Sequence, residues 1–121
     1  VESDGPVFLF LHHAPMEVGL PSSDRLMVRS AGEFWEVLAP HRERLRHMFF
    51  GHLHRPVCGS WHGVPFSSIR GLAHQLWLDF GATDHYPGSH EPAAYAVVRA
   101  GLDSVVVHTH DFMDPTATFN L

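Results

Sequence analysis

The chain has 121 residues, 45% of them hydrophobic, and a formal net charge of −5. A chain of this length buries roughly two thirds of its unfolded surface around one modest core, so one domain or part of one is expected. Its mild acidity speaks against a nucleic-acid polymer as partner, and its longest clear apolar run, Val7 to Leu11, falls far short of the ~20 residues of a membrane span.

The opening Val1-Glu2-Ser3-Asp4 is polar and acidic, lacks the basic start of a secretion signal, and has no initiator methionine. With a buried-type strand a few residues later, the expectation is a chain cut from something longer. Val7 to Leu11 reads as that strand, with His12 and His13 at its carboxyl end. Ala14 to Arg29, carrying Pro15, Gly19, Pro21 and Ser22-Ser23-Asp24, reads as a long loop of the kind that is often functional. Ser30-Ala31-Gly32-Glu33 has capping-box spacing and opens a helix whose apolar face is Phe34, Val37 and Leu38. This principal helix is expected to run to about His47, with a kink or restart at Pro40. Arg42, Arg44 and Arg46 read as a solvated face of it.

Met48-Phe49-Phe50 is a second short strand, ending in Gly51-His52-Leu53-His54. Val57 to Trp61 and Val64 to Ile69 flank His62-Gly63 as a β-hairpin, and Gly71 to Leu78 reads as a further strand. Asp79 to Pro92 is a loop by composition. Ala94 to Arg99 and Ser104 to Thr109 form a second hairpin around Gly101-Leu102-Asp103, and the tail beyond Asp111 reads as an irregular surface segment. The fold class is mixed, strand-rich α/β. The single cysteine, Cys58, forms no internal disulfide, which fits a reducing, cytoplasmic setting.

Twelve histidines are the unusual feature of the composition, and position decides which of them matter. Two clusters lie at carboxyl ends of the strands joined by the helix, where open α/β sheets place ligand sites. In Gly51-His52-Leu53-His54, histidines two apart share a face on a strand and can address neighbouring metals on a tight turn. Two half-exposed loop histidines are the plainer alternative. His12-His13 directly after a buried strand needs partners, because burying unsatisfied imidazole nitrogens costs free energy. Together the clusters offer up to four nitrogen donors, enough to nucleate a transition-metal site. Asp24 and Asp79 read as loop caps, and His62, His85, His90, His108 and His110 are given no role.

In order and spacing these motifs resemble the C-terminal half of calcineurin-like metallophosphoesterases, in the class III cyclic-nucleotide phosphodiesterase and glycerophosphodiesterase branch. Phe10-Leu11-His12-His13-Ala14-Pro15 resembles that branch's Met-His-His-Pro-Pro stretch, and Phe49 to His54 its Gly-His-x-His. Gly71-Leu72-Ala73-His74-Gln75 resembles a Gly-x-x-His-Gln element of the glycerophosphodiesterases. The likeness implies that residues 1–121 are the C-terminal portion of one metallophosphoesterase domain, half of a four-layer αββα sandwich. It implies His12 and His52 as ligands of one metal, His54 as ligand of the other, and His74 and His13 as substrate contacts. The implied cofactors are two divalent ions, with manganese, iron, zinc and cobalt not distinguished, clamping a small phosphodiester: a cyclic nucleotide or a glycerophosphodiester.

Ala14 stands where that branch has proline, and the Asp-x-His, Gly-Asp and Asn-His-Asp segments of complete members are absent from this sequence. The chain alone is therefore expected to be inactive, with no catalytic residue of its own, and to bind metal weakly. Half a sandwich exposes sheet edges and apolar surface, so a homo-oligomer is expected, with no membrane partner. The competing reading is a non-catalytic metal-binding or oligomerisation domain.

Overall fold

A computed structural model describes residues 4–113, 115 and 118–120. The mixed, strand-rich α/β class expected from the sequence is the one observed. The main sheet comprises β1 (Val7–Leu11), β2 (Leu45–Phe50), β3 (Val57–Trp61) and β4 (Val64–Ser68), in the order β1-β2-β4-β3. β1, β2 and β4 run parallel, and β3 pairs antiparallel with β4. The carboxyl ends of β1 and β2 thus lie side by side, with Leu11 opposite Phe50.

Alternation along β1 divides its side chains. Val7, Leu9 and Leu11 pack on the core built from Leu38, Leu45, Met48, Phe50, Val64 and Phe66. Met48 is fully buried, a burial that contributes about 1.5–3 kcal/mol. Phe8 and Phe10 point the other way and stack on Phe49, with centroids 6.5 and 5.1 Å apart. Phe10 is 75% exposed and the other four residues are half-buried, so the run read from sequence as a buried strand is only partly covered among the described residues.

The covered face lies beneath α2 (Ala31–Leu38), which presents Phe34, Trp35 and Leu38 to the core. This helix is shorter than expected. Pro40 cannot donate the bond that would continue it, and the backbone tightens into a 3-10 turn over Ala39–Arg44. Leu45 to His47, expected at the helix end, are drawn into β2 by pairing with β1. Ser30 sits at the cap position without a side-chain cap bond, so the capping box is not formed.

The arginines are likewise not a helix face. Arg42 donates to the carbonyls of His62 and Gly63 at 2.9 and 2.6 Å, Arg44 to Gly5 at 3.0 Å, and Arg46 to Gly101 at 3.2 Å. Each ties a different segment to the sheet. The β3–β4 turn has the expected residues, His62 (φ 49°) and Gly63 (φ 77°), and two successive positive φ values match the right-handed strand twist.

The 14–29 segment is a loop closed at its base, with Val28 N–H donating to Ala14 O at 3.0 Å. It contains one helical turn, α1 (Pro21–Asp24), and the Asp24 carboxylate accepts from the N–H groups of Val18 and Gly19. Asp79 caps its own loop, accepting from Gly81 N–H. The strand expected over Gly71 to Leu78 reduces to β5 (Gln75–Leu76), which pairs with β6 (Gly88–Ser89) inside the expected 79–92 loop. The second hairpin is β7 (Tyr95–Ala100) with β8 (Val105–His110), each strand shifted one residue from expectation. The tail beyond Asp111 falls partly outside the described residues. No helix among the described residues is long and apolar enough to cross a membrane.

Candidate metal centre

The parallel pairing of β1 and β2 brings two histidine clusters to one sheet rim. Gly51 N–H donates to Leu11 O at 3.3 Å, joining the two strand ends. A Cβ on Gly51 would lie 3.6 Å from His12 Nδ1, an ordinary contact distance, which places the His12 ring beside the start of the turn. Leu53 N–H then donates to Gly51 O at 2.6 Å, a three-residue turn about His52. His52 (φ 62°) and His54 (φ 47°) both adopt left-handed backbones, which non-glycine residues disfavour and which cluster at functional sites. Buried Leu53 anchors the turn between them.

The turn carries the His52 ring to His12 and His13. Ring centroids lie 4.7 Å apart for His12–His13, 5.3 Å for His12–His52 and 4.3 Å for His13–His52. One donor nitrogen from each of the three lies within 4.8 Å of the others, so the trio could hold a metal ion. The donor set fits that use. Burial lowers the pKa of His52, and the neighbouring His13, His12 and His54 lower it further, which favours the neutral imidazole that ligation requires.

His54 is not in that trio. Its Nδ1 is 2.8 Å from the carbonyl oxygen of His74, and the two rings lie 4.6 Å apart. The structure thus groups the expected residues as His12, His13 and His52 on one side and His54 with His74 on the other. His13, read from the family pattern as a substrate contact, stands among the potential ligands. The His74 ring is exposed, and the contact this residue makes with His54 through a polar atom comes from its main chain.

A cleft of about 530 Å³ opens beside the two groups, lined by His52, His54 and His74 and walled by Leu26, Leu53, Leu76 and Tyr86. The guanidinium of Arg25 lies 5.9 Å over the Tyr86 ring. Sequence reasoning missed Leu26 and Tyr86, because both sit in loops without periodicity, and missed the structural part of Gln75. This side chain is 1% exposed and bonded at both ends to Gly71, Oε1 accepting from its N–H and Nε2 donating to its carbonyl, each at 2.8 Å.

No protein-family model matches the chain. It is similar to a probable cyclic nucleotide phosphodiesterase of Rhodopseudomonas palustris, 44% identical over 119 residues, which cover 98% of this chain and 43% of the relative. A probable cyclic nucleotide phosphodiesterase of Synechococcus is 35% identical over 54 residues, 45% of this chain and 21% of that protein. The chain therefore spans less than half the length of the curated relatives it matches.

Proposed function

We propose, from its likeness to proteins named as phosphodiesterases, that this chain is the C-terminal part of a metal-dependent phosphodiesterase of the calcineurin-like metallophosphoesterase superfamily. The observation that carries this reading is the convergence of His12, His13 and His52 at the rim shared by β1 and β2, each with a nitrogen within 4.8 Å of the others. In this reading His12 and His52 hold one divalent ion, with His13 within reach of it. His54 serves a second ion. Ions bound there would place positive charge on the phosphoryl oxygens of a substrate.

The rest is the work of the chain's own side chains. The His52 imidazole, its pKa lowered by burial and by the neighbouring histidines, is favoured in the neutral form that donates an electron pair to a metal. Leu26, Leu53, Leu76 and Tyr86 form a largely apolar wall against which an organic group of the substrate packs and water is displaced. Such a wall suits a nucleobase better than a glycerol, and the relatives' names also favour cyclic nucleotides over glycerophosphodiesters.

The test is hydrolysis of 3′,5′-cyclic AMP and of a glycerophosphodiester by the full-length protein, before and after chelation and metal return. Activity should vanish on chelation, return with metal, and fall in His52→Ala together with metal content. Because altering a group outside the coordination sphere typically costs about 10- to 100-fold, loss of a ligand should exceed that range. A metal-loaded protein that cleaves neither substrate, or a His52→Ala variant with normal rate and metal content, sinks the proposal and leaves the non-catalytic reading.

A further inference from the structure

His54 is gripped by one short segment on three sides. Its Nδ1 meets the His74 carbonyl at 2.8 Å, its own carbonyl accepts from Leu76 N–H at 3.2 Å, and its ring lies flat against Gly71. A Cβ on Gly71 would stand 2.8, 3.0 and 3.1 Å from three atoms of that ring, so only glycine lets the ring lie there. The buried Gln75 carboxamide joins the N–H and carbonyl of Gly71, closing residues 71–75 into a ring that holds the His74 carbonyl in place. Arg55 fixes the far end, donating to Leu76 O at 3.0 Å.

A backbone carbonyl only accepts, so the nitrogen facing it must carry the hydrogen. We infer that Gln75 and Gly71 are positioning residues for His54: through the His74 carbonyl they hold its imidazole in the Nδ1–H tautomer, leaving Nε2 with the free electron pair. A ligand fixed in ring orientation and tautomer pays less to bind metal than one that must be sorted from two tautomers and several rotamers. The value of this device to function rests on the proposed role of His54 at the second ion. The tautomer itself does not. In this arrangement His74 acts through its main chain, and its ring is dispensable for orienting His54.

The experiment is a long-range ¹H–¹⁵N correlation spectrum of the histidine rings in the metal-free 121-residue chain above pH ~7, where imidazoles are mostly neutral. His54 should show the Nδ1–H pattern in the unaltered chain and in His74→Ala, whose carbonyl remains. Gln75→Leu and Gly71→Ala should each lose that pattern for His54 while His12, His13 and His52 keep their shifts. A His54 that carries its hydrogen on Nε2 in the unaltered chain overturns the inference even if neither variant folds. So does a pattern that survives in folded Gln75→Leu and Gly71→Ala, or one lost in His74→Ala. In the full-length protein, Gln75→Leu should weaken binding of the second manganese equivalent by about 10- to 100-fold. Should the tautomer hold while His54→Ala leaves manganese stoichiometry unchanged, the ligand role of His54 falls and the tautomer control stands.

Discussion

His52 and His54 carry side chains where the backbone prefers none. A left-handed conformation costs an L-residue about 1–2 kcal/mol, whereas glycine tolerates it at an entropic cost of roughly 0.5–1 kcal/mol. His52→Gly should therefore match or exceed the stability of His52→Ala in urea unfolding, by up to about 1 kcal/mol, although both lose the ring. A glycine variant clearly weaker than the alanine variant would contradict the strain. His47 makes a separate, pH-dependent contribution. Its Nε2 lies 2.9 Å from Ser67 Oγ, and burial holds its pKa below the ordinary 6.5. The unfolded chain then takes up a proton more readily than the native one. Stability is intact above 6.5 and is lost as the pH falls through the lowered native value. Unfolding midpoints should drop between pH ~7.5 and ~5, and His47→Gln should flatten that fall.

Turns and strand ends were easier to read than their pairing partners. His62-Gly63 announced a two-residue hairpin, and the backbone there favours glycine. At Gly63 φ is 77°, and an added Cβ would meet Arg42 Nη2 at 2.7 Å. Gly63→Ala should cost about 1–2 kcal/mol in chemical unfolding from backbone strain, before any loss of the Arg42 bonds to the turn. The end of α2 was misplaced because Leu45 and His47 suit a helix or a strand locally, and only β1 decides between them. Gly71 to Leu78 looked like a strand by composition. A buried glutamine folding back on a glycine four residues earlier leaves no periodic trace, so the 71–74 turn was invisible. In the candidate site, His12 and His52 could be placed at one rim because strand ends are local features. That His13 would join them while His54 turned to His74 depends on left-handed angles that no residue type at those positions announces.

On the scale of the molecule, the main sheet is open on one face at its β1 end among the described residues: Phe10 is 75% exposed, whereas His47 and Ser67 on the same face are buried. Phe8, Phe10 and Phe49 form an aromatic strip on the face opposite α2, and parallel sheets are usually covered on both sides. This strip is the surface that the expected self-association would use. Phe10→Lys should lower the sedimentation coefficient of the concentrated chain without lowering its stability, since Phe10 is already 75% exposed. A monomer at every concentration would count against it. The β7–β8 hairpin is attached differently. Tyr95, Val97, Val98 and Val106 remain open to solvent. Among the described residues, the hairpin is tied down by Arg46 to the Gly101 carbonyl, while Arg70 reaches Asp111 just past β8 at 2.7 Å and Glu91 just before β7 at 3.9 Å. Polar ties of this kind hold less firmly than a shared apolar core, and salt screens them. Deuterium should therefore enter the hairpin amides through sub-global opening while the β1–β2 amides wait for whole-chain unfolding, and the gap should widen in high salt. On that prediction the polypeptide would open as two cooperative units, and a ligand at the histidine rim should slow exchange in the first while leaving the second as free to breathe as before.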